Sequence, residues 1–218
     1  MLLTFGDSFT YGEELTDLTS AWPYRMAKVL KTTVINHGSP GASNDEILRR
    51  LYEELSSTDP EKIDMVIIGW TSPGRIEFSD MVGTYSIWPG YMSGKFRAKE
   101  PWRDEMVSYL SKHHNSEWLC QRFVQNVIAA QSLLQQLGIR YLMCDIGRNE
   151  YYKNLHLGTG ITERMCNLVD STKYAGWLTS GMAEWVGKAA RGAGGHFLDE
   201  GHKLVTLKLY DFIKKNRI

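Results

Sequence analysis

The sequence predicts an α/β protein: a parallel central sheet with helices on both faces. Two observations lead to it. Apolar runs alternate with amphipathic helical patterns along the chain, the signature of right-handed β-α-β crossovers. One run, Met65-Val66-Ile67-Ile68, is apolar without alternation, which suits a strand covered on both sides. At 218 residues the chain fits a single domain spanning 1–218 with insertions, a length that single domains of this class commonly reach.

The elements follow in order. Leu2, Leu3, Thr4 and Phe5 form a first strand that runs into Gly6-Asp7-Ser8-Phe9-Thr10-Tyr11-Gly12. Trp22-Pro23 opens a helix, with proline near its first turn where a missing N–H costs little, and Tyr24, Met26, Ala27, Val29 and Leu30 at helical spacing. A β-branched run over 32–36 is the second strand. Ser43-Asn44-Asp45-Glu46 supplies cap-type residues before Ile47, Leu51 and Leu55, a second amphipathic helix widened by Leu48 and Tyr52. The third strand is the run at 65–68. A long helical pattern over 117–137 carries Leu119, Phe123, Val127, Ala130 and Leu134 and ends at Gly138. Residues 139–144 are a fourth strand, and a final helix covers 199–215, with Lys214, Lys215 and Arg217 facing its C-terminal dipole. Residues 76–115 and 147–195 lie outside this repeat as two insertions.

Composition narrows the function. Twenty-five acidic and twenty-five basic residues cancel, so no field of one sign points to nucleic acid or an anionic membrane. A small-molecule substrate fits better. Cys120, Cys144 and Cys166 are odd in number and widely spaced, which argues for reduced thiols, and without a Cys-x-x-Cys pair no metal is expected. His113-His114 lacks a matching third ligand and reads as part of a polar turn. No targeting signal or run long enough for a membrane span is visible, so the expected setting is soluble and cytoplasmic.

Ser8 stands at the carboxyl end of the first strand. In open parallel sheets that edge is where ligands bind. A serine hydroxyl becomes a nucleophile when a neighbouring base takes its proton, and histidine is the natural base near neutral pH. A reaction that depends on such a pair is then expected to speed up through a titration at about pH 6 to 7.

Four segments together resemble the blocks of the SGNH (GDSL-type) hydrolases. Gly6-Asp7-Ser8, within Gly-Asp-Ser-x-Thr-x-Gly, matches the first. Asn36-His37-Gly38-Ser39-Pro40-Gly41-Ala42-Ser43 is similar to the second, Gly69-Trp70-Thr71-Ser72 occupies the place of the third, and His196-Phe197-Leu198-Asp199-Glu200-Gly201-His202 resembles the last. The resemblance implies a three-layer α/β/α, flavodoxin-like fold and a serine esterase that forms an acyl-Ser8 intermediate with His196 as base. It needs no cofactor. The backbone N–H groups of Ser8 and Gly41 and a third-block side chain, here Thr71, would form the oxyanion hole, each donor worth about 3 kcal/mol. An ester or acylated sugar would be the substrate, with removal of an acetyl group from a carbohydrate hydroxyl as one form. The Gly-Trp-Thr-Ser-Pro third block is similar to that of bacteriophage-associated members.

The pattern departs from the family in two places. Thr71 stands where an asparagine belongs, so either a hydroxyl of Thr71 or Ser72 donates, or the hole has two backbone donors and Thr71 caps a turn. The family's aspartate, three residues before the histidine, falls on Ala193 in Arg191-Gly192-Ala193-Gly194-Gly195. His196 is favoured because the apolar pattern of Leu204, Val205, Leu207, Leu209 and Phe212 begins at the family's distance from it. Its orienting group is then a backbone carbonyl or a carboxylate such as Asp145, or the site is a Ser-His dyad. Asp199-Glu200-Gly201-His202 offers a second triad with His202 as base. Arg75 reads either as an anchor for an anionic group or as an ion pair to Glu77. The aromatics of the first insertion, Phe78, Tyr85, Trp88, Tyr91, Phe96, Trp102 and Tyr109, read either as a pocket lining or as a satellite core or self-association surface. Trp177 and Trp185 read as core. Two function classes follow: the esterase, and a catalytically weak or inactive scaffold that binds a carbohydrate or protein. A nucleotide-binding protein ranks below both, for want of a phosphate-cradling glycine loop.

Overall fold

The computed structural model describes residues 1–79, 84–87, 101–113, 115–147 and 160–218. Five parallel strands form the central sheet: β1 (Leu2–Gly6), β2 (Val34–Gly38), β3 (Met65–Trp70), β6 (Tyr141–Asp145) and the short β7 (Tyr174–Ala175), in the order β2-β1-β3-β6-β7. Between β3 and β6 a separate antiparallel hairpin is made by β4 (Ile76–Ser79) and β5 (Thr84–Ile87). The helices are α1 (Ser8–Tyr11), α2 (Trp22–Leu30), α3 (Asn44–Ser57), α4 (Pro101–Lys112), α5 (Ser116–Gln136), α6 (Ile161–Cys166), α7 (Met182–Val186) and α8 (Asp199–Asn216).

Alternation along the strands builds the layers. Leu3, Phe5, Val66 and Ile68 point to one face and pack with Ile47 and Leu51 of α3 and Phe123 and Val127 of α5. Leu2, Met65, Ile67 and Leu142 point to the other and pack with Trp22 and Met26 of α2 and Val205 and Leu209 of α8. Every residue of β3 is buried, the reason its sequence lacks alternation. Each fully buried Leu, Ile or Phe here removes enough apolar surface to contribute about 1.5 to 3 kcal/mol.

The expected strands and long helices are present, with shifts at their ends. The second strand begins at Val34 rather than at residue 32, because α2 closes on Lys31 in the left-handed region and Thr32 still donates back to Ala27 O. Ser43 caps α3 by accepting the Glu46 N–H, and Asn115 caps α5 by accepting that of Trp118. The insertions hold the elements that periodicity did not resolve: β4, β5, α4, α6, β7 and α7. Trp177 and Trp185 pack against the two core clusters, as expected. All three cysteines are free and buried. Of the first-insertion aromatics, Trp88, Tyr91 and Phe96 lie outside the described residues, as do the side chains of Tyr85 and Trp102 and, in the polar turn, His114. Tyr109 is exposed on α4. No helix among the described residues is long and apolar enough to cross a membrane.

Candidate active site

The first turn presents its serine through a buried carboxylate. Asp7 is 1% exposed, and its oxygens accept three donors: the Phe9 N–H at 2.9 Å, the Thr71 hydroxyl at 2.7 Å and Arg75 Nη1 at 3.1 Å. A buried carboxylate without such partners would cost several kcal/mol. The N–H that the Asp7 side chain caps is that of Phe9, while Ser8 opens the short helix α1, where the first N–H groups have no partner within the helix. Arg75 Nη1 also donates to Ala42 O at 3.1 Å, joining the first turn to the second.

The second turn is Ser39-Pro40-Gly41-Ala42, closed by Ala42 N–H donating to Ser39 O at 3.0 Å. Gly41 has a positive φ, a backbone state that suits glycine at the third position of a turn with proline second. Ser39 N–H donates to Gly6 O, and Asn36 Nδ2 donates to Thr10 O, so the second block is hydrogen-bonded to the first on both sides of the serine.

Asn44 performs a task that its cap-like setting in the sequence did not reveal. Its amide Oδ1 accepts the Thr71 N–H at 2.9 Å and its Nδ2 donates to Thr71 O at 3.0 Å, pinning the third-block backbone. Thr71 is 3% exposed, and its hydroxyl hydrogen is given to Asp7. In this arrangement Thr71 braces the serine turn, and its hydroxyl is not available to an oxyanion. Arg75 likewise pairs with Asp7 rather than with Glu77, which is held by Arg49.

The last block brings His196 to the serine. Its Nε2 lies 2.9 Å from Ser8 Oγ, and the side chain is 16% exposed between solvent and the Phe9 ring. The other ring nitrogen, Nδ1, lies 2.9 Å from Glu14 Oε2. A carboxylate only accepts, so the partners assign the ring proton to Nδ1 and leave Nε2 to accept from the serine hydroxyl. Glu14 also accepts the Gly194 N–H at 2.6 Å on Oε1 and the His196 N–H at 3.1 Å on Oε2. These backbone donors, Gly194 first, hold its carboxyl below the usual range. Glu13 Oε2 stands 3.4 Å from Nε2, on the serine side of the ring.

The remaining candidates go elsewhere. His202 is fully buried, accepts the Trp22 N–H on Nδ1 at 3.2 Å and is pushed down to about 4, first by burial and then by the charge of Arg25. It is a packing residue of α8. Asp199 pairs with Arg25, and Asp145 accepts the Tyr174 hydroxyl at 2.8 Å. The far side of the His196 ring therefore faces neither a backbone carbonyl nor Asp145: Glu14 occupies that position. No cluster of His, Cys, Asp or Glu suited to a metal occurs among the described residues.

The sequence matches no protein-family model and no curated protein. Solved structures do match over nearly the whole chain. One is that of TesA, at 16% identity over 99% of this chain and 98% of that one, with a TM-score of 0.57. Another is a member of the lipolytic protein G-D-S-L family from Veillonella parvula DSM 2008, at 11% identity over 98% of both chains and a TM-score of 0.53. A third is a two-domain esterase (CEX) active on acetylated mannans, at 16% identity over 100% of this chain and 48% of that one, TM-score 0.55. Across such low identities it is backbone architecture that is held in common: the mostly parallel, helix-flanked sheet of this chain is the fold of the G-D-S-L (SGNH) structures.

Proposed function

We propose that the chain is a metal-independent serine esterase that transfers an acyl group from an ester to Ser8 and then to water. The observation that carries this reading is the 2.9 Å contact between Ser8 Oγ and His196 Nε2 at the carboxyl edge of the sheet. It has the length expected of a hydroxyl poised to give its proton to an imidazole.

Ser8 Oγ attacks the ester carbonyl as His196 Nε2 takes the hydroxyl proton, forming the Oγ–acyl bond and an oxyanion. The N–H groups of Ser8 and Gly41 stabilise that oxyanion, a hole of two backbone donors once the Thr71 hydroxyl is committed to Asp7. Collapse breaks the bond to the leaving alcohol, whose oxygen receives the proton from Nε2. Water then attacks the acyl-enzyme, gives its proton to His196, and Ser8 leaves as the hydroxyl. An acylated sugar is the favoured substrate class, with an O-acetyl group as the acyl portion. Supporting it is the likeness in fold to the esterase active on acetylated mannans.

A fluorophosphonate probe tests the reading. Covalent labelling is expected on the wild-type chain and not on Ser8→Ala, with acetate released from an acetylated mannan by the wild-type chain alone. Absence of Ser8-dependent labelling would move the chain to the non-catalytic binding class.

A further inference from the structure

We propose that Glu14, from the turn that follows the nucleophile's own helix, is the residue that orients His196 and balances its charge during catalysis. The inference rests on the esterase reading above. It replaces an acid on the histidine's own loop with one delivered by the loop of the serine.

Three independent features of the chain serve this arrangement. The first is the turn itself: α1 ends on Gly12 in the left-handed region, and Glu14 follows with a positive φ of its own, a state that few non-glycine residues adopt. Such strain persists where surrounding contacts over-determine it, and here those contacts are the hydrogen bonds of the Glu14 carboxylate. The second is the chemistry of the acceptor. Oε1 takes the Gly194 N–H and Oε2 takes both the His196 N–H and the ring Nδ1–H, so every donor needs an oxygen. An amide at this position would turn its NH2 against one of them. The third is the loop 191–195, which has no acid to offer but is shaped to receive one. A Cβ on Gly192 would stand 2.5 Å from Glu14 Cδ, and one on Gly194 would stand 3.1 Å from Oε2. Gly192 and Gly194, on either side of the Ala193 that stands where the Asp-x-x-His pattern expects an acid, are what let the Glu14 carboxylate lie against the loop backbone.

The role is one of positioning. With Nδ1–H held by Glu14, Nε2 is the nitrogen left to accept the Ser8 proton, and the imidazolium formed in each transfer has a carboxylate beside it. Glu13 faces the same ring from the Nε2 side and cannot substitute, because it does not reach the nitrogen that must carry the fixed proton.

The experiment compares Glu14→Gln in the wild-type and His196→Ala backgrounds, using an activated acetyl ester and the fluorophosphonate probe. We expect Glu14→Gln to lower kcat by about 10²- to 10⁴-fold with little change in KM. In His196→Ala it should add no further loss, since its effect passes through the ring. Imidazole ¹⁵N spectra, with His196→Ala to identify the signals, should show the Nδ1–H tautomer in the wild-type chain and a shift toward Nε2–H in Glu14→Gln. Should Glu14→Gln fail to fold, Gly192→Ala displaces the same carboxylate without altering Ser8 or the imidazole, and is expected to lower kcat at least tenfold. The proposal is overturned by a Glu14→Gln rate within twofold of wild type, by an equal loss in the His196→Ala background, by an unchanged tautomer, or by full kcat in Gly192→Ala. If the wild-type chain neither labels nor hydrolyses, it is the esterase reading that fails, while the tautomer measurement still decides the placement of Glu14.

Discussion

His196 and His202 belong to one short block, yet the fold gives them opposite surroundings. His196 sits on a loop at the sheet edge with a hydroxyl at one ring nitrogen and a carboxylate at the other. His202 sits one turn into α8, sealed among Trp22, Phe197 and the second core cluster, with Nδ1 accepting a backbone N–H. The ring proton is accordingly on Nδ1 in the first and on Nε2 in the second. Burial makes protonation of His202 expensive, whereas the site around His196 supplies a carboxylate to an imidazolium. Two identical side chains thus have different hydrogen-bonding states because their partners differ.

The largest expected effect sharpens this contrast. His196→Ala should lower ester hydrolysis by about 10³-fold or more, whereas His202→Asn, whose Oδ1 can still accept the Trp22 N–H, should keep kcat near wild type. Full activity in the first variant, or its loss in a folded His202→Asn, would reverse the assignment of the two histidines.

The next effect concerns stability rather than rate. His202 titrates at about 4 in the folded chain against 6.5 for an ordinary histidine. The folded-state value is depressed, so as pH falls below about 6.5 the unfolded chain takes up a proton that the folded chain refuses. Stability is therefore present above that pH and is lost on the way down to about 4, by up to about 3 kcal/mol from this group. Urea denaturation at pH 7 and pH 4.5 should show a smaller acid loss in His202→Asn than in the wild-type chain, and an equal loss would count against a buried neutral His202.

Thr71→Val tests the floor beneath the catalytic pair. It removes a hydroxyl that donates to the buried Asp7. The loss should cost about 1 to 3 kcal/mol in denaturant unfolding. A cost near zero would mean that the serine turn does not depend on this brace. Asp199→Asn is the smallest. Its ion pair with Arg25 is largely exposed. Such pairs add little in water, so the unfolding midpoint should barely move, far less than in Thr71→Val, and esterase activity should persist. A large loss of kcat in that variant would revive the Asp-x-x-His alternative at the second histidine.

Ser8 and His196, which meet at 2.9 Å, were singled out from blocks that resemble a known pattern, Ser8 also from its place at the end of the first strand, with His202 left open beside His196. Glu14 was not. Glu13-Glu14 after a glycine turn reads as a solvated pair, and nothing local says that one of them meets a loop near the other terminus. The signal was indirect: acids just past the serine turn, and an alanine among glycines where the histidine's own acid was expected. Thr71 and Asn44 show the same limit, since a hydroxyl or amide can cap, brace or donate, and only its neighbours decide which.

The alternation of strands and helices, the strand buried on both faces and a serine at the carboxyl end of the first strand could all be read from the order of residues alone. These follow from periodicity and local capping, which act between residues near in the chain. It took the folded chain to show which histidine faces Ser8, that the Thr71 hydroxyl donates to Asp7, and that the Glu14 carboxylate lies against the far nitrogen of the His196 ring. Each of these depends on a hydrogen bond between segments far apart in sequence, where direction and distance are set by packing of the whole sheet rather than by residue type.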